Sequence, residues 1–449
     1  MGGGADGWRP CACPWGGNRA GTQDSTRPPR PPYTAHCPYA RGEMTDTDQQ
    51  EQALDDYGYP PRPDSRNRLR KIGIRGSKTV LVKCIYACMG IAGALLWLGR
   101  VGKKYPPLTP QRVQPRRVLV IRLDLIGDLV LSTTVVRALK RTYPGAEIDL
   151  LALPSSAKIV LNDPDLCEII TYDPNVWRRP KALFSMRNWR NARTLVRRLR
   201  SRRYDLAVSV FGNWAAIIAV LSGAKRRVGF GREGYPGFMT DSVAGYHWKP
   251  SDHLHEVDYC LQLARAAGVT ITPADRIPCL YVTPEAKRQL EPLLSREGIQ
   301  EDRPLIACHV SSNNGQSKRW PIPYWATLID RLIREQGAQV VLTGAPDDLP
   351  LIERVTNLMQ ERAINLAGKT SLAELAALLQ RADRPVAPDA TILKSDIWCS
   401  PCYNAKDTAD CRFFTTQCMK NILPAQVLAI AREKLRERTP QSRNKEVKQ

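Results

Sequence analysis

Apolar positions along the chain fall into two alternating series. The first opens with Val118–Arg122 (VLVIR), a short run rich in β-branched residues, and the stretch after Asp128 (LVLSTTVVRALKRTYP) changes to helical spacing. Glu147–Ala152 (EIDLLA), Glu168–Tyr172 (EIITY) and Asp205–Phe211 (DLAVSVF) read as further strands, separated by helix-length stretches. A second series starts after Pro304: LIACHV, a helix over Ile322–Gln336, QVVLTG, a helix near Leu349–Gln360, INLAG, and a helix over Ser371–Arg381. Strands alternating with helices specify a parallel sheet covered on both faces. The pattern predicts an α/β protein with two doubly wound, Rossmann-like domains facing a cleft. They occupy residues 116–275 and 303–383, with the link near Pro273–Arg303. Ligands belong at the carboxyl ends of such strands.

Elsewhere the patterning changes character. Residues 1–43 are rich in Gly, Pro and Arg without apolar periodicity and read as disordered, with Met44 as an alternative start. Residues 1–78 together form a basic tail. Thr79–Gly99 is apolar except for Lys83, and cations flank it on both sides, so residues 79–104 read as a membrane-associating segment. About 20 apolar residues can span a bilayer. Three placements fit: a helix lying in the membrane interface, a single span, or a helix packed on the protein itself. Residues 399–437 hold a Cys-containing segment and a terminal helix.

A chain of 449 residues with 43% hydrophobic and 24% charged residues has the composition of a globular protein. That excludes a collagen-like, wholly disordered or multi-span membrane chain. The formal charge of +22 is concentrated. Residues 1–115 hold 17 basic and 9 acidic residues, and residues 178–203 hold 11 basic and none acidic. In the second stretch the cations alternate with Ala192, Leu195, Val196 and Leu199 at helical spacing. Such a helix suits an anionic membrane surface or a phosphorylated lipid acceptor, the alternative being a solvated charged face. Nucleic acid is not expected, since no aromatic platform or recognition motif accompanies the cations.

Two segments carry the candidate chemistry. Arg122-Leu-Asp-Leu-Ile-Gly-Asp128 follows the first strand and precedes a helix. Gly127 would let the backbone turn closely, and Asp128 is either the helix cap or a carboxylate that takes a proton from a hydroxyl. Ser311-Ser-Asn-Asn-Gly-Gln-Ser-Lys-Arg-Trp-Pro321 follows the first strand of the second series. Its amides, with Lys318 or Arg319, form a plausible diphosphate site, although a solvated polar loop would look similar. No G-x-G-x-x-G occurs in the first turn, which argues against a dinucleotide-dependent oxidoreductase. Asp163-Pro-Asp165 reads as a turn. His309, on a strand, reads as a core residue.

Thirteen cysteines, an odd number, are no disulfide scaffold. Cys167, Cys260 and Cys308 read as thiols buried in a reducing compartment. Cys399, Cys402, Cys411 and Cys418 lie within twenty residues. They could hold a structural zinc, form two disulfides or remain thiols.

Val118–Thr134, Lys318-Arg-Trp-Pro321 and Leu366-Ala-Gly-Lys-Thr-Ser-Leu372 with Ala373–Ala382 resemble glycosyltransferase family 9, the bacterial lipopolysaccharide heptosyltransferases. His255–Gly268 and Cys399-Ser-Pro-Cys402 fit it too, so the resemblance runs from about Arg116 to Leu435. It implies the glycosyltransferase B architecture, a nucleotide-sugar donor such as ADP-heptose, a lipid-linked saccharide acceptor, and inverting transfer that needs no metal or other cofactor. Carried over by motif, Asp128 is the general base, with Arg122 and Gly127 on the acceptor side. Ser311, Ser312, Lys318, Arg319, Gly368, Ser371 and Leu372 serve the donor. The setting implied is the cytoplasmic face of a bacterial inner membrane, with peripheral or single-anchor attachment.

One stretch departs from the family. After Asp383 an Asp-Ser-Gly-Pro-x-x-His-type loop is absent, along with on the order of two strands. A shortened second sheet would leave Leu372, Leu375, Leu378 and Leu379 less covered. The rival expectation is therefore a non-catalytic member that has lost donor binding.

Overall fold

The computed structural model describes residues 108–109, 114–231 (apart from Arg179), 237–244, 254–312, 318–382, 391–397 and 416–436, with a few positions between 90 and 99. The basic tail, most of the 79–104 segment and residues 383–390 and 398–415 lie outside the described residues. The chain divides into Met1–Glu51 and Gln52–Gln449, and the second unit holds everything described below.

Six parallel strands make the first sheet: β1 (Arg117–Arg122), β2 (Glu147–Ala152), β3 (Glu168–Thr171), β4 (Leu206–Ser209), β5 (Arg226–Phe230) and β6 (Asp241–Val243). Their order is β3-β2-β1-β4-β5-β6. Four helices flank it: α1 (Ile126–Thr142), α2 (Met186–Ser201), α3 (Gly212–Leu221) and α4 (Glu256–Ala266). Alternation along β1 divides the core. Val118 and Val120 join Leu129, Leu139 and Leu261 of α1 and α4 on one face. Leu119 and Ile121 join Leu195 and Leu199 of α2 and Ala215 and Ile218 of α3 on the other. Both faces of a parallel sheet are covered, so β1 must be apolar at consecutive positions.

Strand β5 and edge strand β6 were not predicted from the pattern. The sequence of β5 opens with two arginines, yet Arg226 is bound by Asp241 of β6 and Arg227 donates from Nε to the Phe238 carbonyl at 2.7 Å. Tertiary partners make those charges tolerable inside the sheet. The same holds for Asp149 in the middle of β2, which is fully buried. Arg202 donates to its two oxygens at 2.8 and 2.9 Å, and the Tyr204 hydroxyl donates at 2.6 Å. Burial and the adjoining carboxylate push the Tyr204 phenol upward, so it stays a donor.

The second sheet contains three parallel strands among the described residues, β7 (Leu305–His309), β8 (Gln339–Thr343) and β9 (Ile364–Asn365), in that order. Helices α5 (Pro284–Arg296), α6 (Ile322–Gln336), α7 (Leu349–Thr356), α8 (Leu372–Arg381) and α9 (Pro424–Arg436) accompany it. The expected link thus contains a helix. Leu290 and Leu294 of α5 pack with Leu305, Val341, Leu366 and Leu378. That corrects one expectation about α8: Leu378 is fully buried because α5 covers it, while Leu379 remains partly exposed. Of the stretch on which the expected shortening rests, residues 383–390 and 398 lie outside the described residues, and 391–397 form neither helix nor strand. Trp320 donates from its indole to the Ile422 carbonyl at 2.8 Å, and Leu428 of α9 is buried in the same cluster. The loop after β7 and the terminal helix are thereby joined.

Asp149→Ala is expected to lower stability by about 1–3 kcal/mol, because the buried Tyr204 hydroxyl loses its acceptor while Arg202 keeps Glu147 and Glu168. Urea unfolding of the two proteins checks this. Asp205 offers a pH test. Burial opposes its ionisation, but Lys225 and the backbone amides of Arg116 and Arg117 more than offset that and hold the carboxyl below its ordinary value. Its stabilisation is therefore full above about pH 4 and is lost as pH falls through the lower folded value. Between about pH 5 and pH 3 the parent should lose more urea resistance than Asp205→Asn.

Candidate active site

Arg122 ends β1 and is only 1% exposed. Its Nη1 donates to Glu256 Oε1 at 2.9 Å and its Nη2 donates to Asp124 Oδ2 at 3.3 Å. Asp128 Oδ1 stands 3.5 Å from the same Nη2, and the guanidinium carbon is 5.3 Å from the centre of the Phe211 ring. Burial alone would lower the pKa of this arginine, but its anionic surroundings raise it above the ordinary value. Cys260 Sγ lies 3.8 Å from Glu256 Oε1, and burial pushes its thiol up to about 12, so it is uncharged near neutrality. One cation thus faces three carboxylates at the carboxyl end of the first sheet.

Asp128 belongs to the first turn of α1, while the N-cap is Leu125, whose side chain makes no cap hydrogen bond. A negative side chain in this first turn interacts favourably with the helix dipole. Its side chain is 36% exposed. A carboxylate that is anchored on one side and open on the other can accept a proton from a bound hydroxyl. Gly127 behaves differently from expectation. It is the second residue of α1, and a Cβ there would meet nothing within 4 Å. No close turn requires glycine, and the space above it is open. Glu256 and Phe211 were missed as site residues. Glu256 was visible only as part of the His255–Gly268 segment, and its contact with Arg122 spans 134 positions.

In the second domain the loop after β7 divides its roles. Ser311 donates from Oγ to Asp348, which also accepts from the Ala345 amide at 2.8 Å. Ser312 Oγ is buried without a hydrogen-bond partner among the described residues. Arg319 donates to the Ser312 carbonyl at 3.2 Å, and Lys318 is exposed. Residues 313–317 lie outside the described residues. His309 is exposed at the tip of β7, with its Nδ1 3.1 Å from the Thr343 carbonyl, and so is not the expected core residue. Gly368 follows β9 with φ +70°, and a Cβ would press on Pro346 at 3.3 Å. Ser371 caps α8 in a reciprocal box with Glu374, so its hydroxyl is committed to the helix, which Leu372 begins.

The remaining candidates separate in the same way. Asp163 accepts from the Asp165 amide at 3.0 Å, the turn expected from the sequence. Cys260 and Cys308 are buried, but Cys167 is exposed, near Arg202 at an edge of the sheet. Of the four C-terminal cysteines, Cys418 is half-buried in a short helix and the other three lie outside the described residues.

Two doubly wound domains, each with its polar groups at the strand carboxyl ends, have the architecture of the glycosyltransferase B fold. The comparisons agree. The fold matches the structure of E. coli ADP-heptose LPS heptosyltransferase II with a TM-score of 0.55 at 21% identity, over 72% of this chain and 99% of that one. It also matches a family 9 glycosyl transferase from Veillonella parvula at 0.51 and 21% identity, over 60% and 73%. In sequence, lipooligosaccharide heptosyltransferase 2 of Haemophilus influenzae is 28% identical over 293 residues, covering 62% of this chain and 78% of that protein. Lipopolysaccharide heptosyltransferase 3 of E. coli is 25% identical over 262 residues, 57% and 72%. Residues 192–409 match the model of "Glycosyltransferase family 9 (heptosyltransferase)". In these comparisons the chain is similar to the heptosyltransferases of glycosyltransferase family 9.

Gly127→Ala should raise stability by about 0.5–1 kcal/mol, since glycine weakens a helix and there is room for the methyl group. Gly368→Ala should lower it by about 1–2 kcal/mol because of its left-handed backbone. Thermal unfolding of both variants checks the contrast.

Proposed function

We propose that this chain transfers a heptose or similar sugar from an ADP- or other nucleotide-sugar donor to a lipopolysaccharide core or related lipid-linked saccharide. The single observation that carries the reading is Asp128, held beside buried Arg122 at the first helical turn yet open to solvent. The relatives named above, whose names specify lipopolysaccharide or lipooligosaccharide heptosyl transfer, supply the substrate classes.

In the proposed reaction Asp128 takes the proton of an acceptor hydroxyl as its oxygen attacks the anomeric carbon. The bond from that carbon to the diphosphate breaks, and its electron pair leaves on the phosphate oxygen. Attack opposite to departure inverts the anomeric centre. Lys318, Arg319 and the Ser312 hydroxyl stabilise the growing charge of the diphosphate. Arg122 keeps the Asp128 carboxylate oriented through Nη2, and Glu256 holds Arg122 through Nη1. The setting that goes with this reading is the cytoplasmic face of the inner membrane, where a lipid-linked acceptor would be met.

The test incubates the purified full-length chain with ADP-heptose and a lipid A–core acceptor. Asp128→Asn should cut transfer by about 10²–10⁴-fold while donor binding by calorimetry persists. No transfer by the parent, together with no nucleotide binding, would overturn the proposal and leave the non-catalytic reading.

A further inference from the structure

The cations between residues 178 and 203 divide into two groups in the folded chain. At the carboxyl end of α2, Arg198 pairs with Glu168, and Arg202 contacts Asp149, Glu147 and Glu168 of β2 and β3. The acids missing from the local sequence are thus supplied by neighbouring strands. Arg187, Arg190, Arg193 and Arg197 differ. All four are exposed, and none has an ion pair among the described residues.

Their placement is ordered. Met186, Arg190, Arg193 and Arg197 follow at i, i+4, i+7 and i+11, so they form one row along the helix. At about 100° per residue that row lies opposite Leu195 and Leu199, the buried pair of α2. Three apolar side chains adjoin its amino end: Phe184 at 88% exposure, Met186 at 75% and Trp189 at 48%. The turn that carries them is fixed. The Trp189 indole donates to the Leu183 carbonyl at 2.8 Å, and its ring meets Trp177 edge-on at 5.0 Å. Since β3 leads into this turn, the amino end of α2 stands at the carboxyl end of the sheet, the end that presents Asp128.

We propose that the amino-terminal part of α2 and the turn before it dock on an anionic phospholipid surface. Phe184, Met186 and Trp189 enter the headgroup layer, while Arg187, Arg190, Arg193 and Arg197 pair with lipid phosphates. Cations alone would suit any polyanion, but exposed apolar side chains beside them match a surface with hydrocarbon behind its charge. Docking would turn the end of the sheet bearing Asp128 toward lipid-linked hydroxyls. Only that last consequence rests on the proposed transfer reaction.

Peptide-resolved hydrogen exchange on the full-length chain tests the docking without any substrate, and so separates it from failure of the transferase reading. Vesicles of phosphatidylethanolamine with phosphatidylglycerol should slow exchange in peptides covering residues 180–198, and phosphatidylcholine vesicles should not. Combined Arg190→Glu, Arg193→Glu and Arg197→Glu should weaken vesicle binding through this surface by roughly a hundredfold, given the usual contribution of each cation near an anionic leaflet. Phe184→Ser with Met186→Ser should weaken it about tenfold. Near-ultraviolet dichroism confirms that the variants remain folded. Protection confined to other segments would overturn the proposal, as would equal protection by a single-stranded oligonucleotide or unchanged binding by the charge-reversal variant.

Discussion

A guanidinium removed from water at the end of the central strand constrains the first domain more than any other group. Burying Arg122 is costly unless its donors find acceptors. The acceptors come from two separate places: Asp124 and Asp128 in the turn that starts α1, and Glu256 in the first turn of α4. Satisfying one buried cation therefore fixes how two helices begin relative to β1. The same requirement presents Asp128 at the carboxyl edge of the sheet in a defined orientation. The Arg122 donor left without a hydrogen-bond partner among the described residues, Nε, lies in the same place.

A second buried charge performs a comparable task at a distance. Asp149 holds Arg202 and Tyr204, and through them the end of α2 and the chain entering β4. The basic helix is thereby anchored at its carboxyl end by structural ion pairs and left uncompensated at its amino end. A charge count along the sequence merges these two populations. Only the strands that run beside the helix show which arginines serve the fold and which face outward.

Much of the α/β alternation was legible because strands covered on both faces have to be apolar at consecutive positions, whereas covered helices show a 3.6-residue period. The boundaries of β2 and α6 agree with those read from the pattern. Strand β5 was hidden because its first two residues are arginines whose partners Asp241 and the Phe238 carbonyl follow only after the strand has ended. Helix α5 was hidden in a stretch read as a link, although its Leu290 and Leu294 provide the cover for α8. Among the site residues, Asp128 could be placed from its position after a strand. The open space over Gly127, the helix cap made by Ser371 and the exposure of His309 depend on neighbours that spacing does not reveal.

The sequence alone determined the alternating α/β architecture, the two chemical loops and the family resemblance, because these reside in local periodicity and in short ordered motifs. Tertiary structure decided which charges are paired. An ion pair such as Arg122 with Glu256 or Arg202 with Asp149 joins residues 134 and 53 positions apart, and only the closed sheet brings them within hydrogen-bonding distance. The half-exposed carboxylate of Asp128, the buried supports and the outward cations of this protein are therefore distinguished by packing, since in the unfolded chain all of them would be ordinary solvated charges.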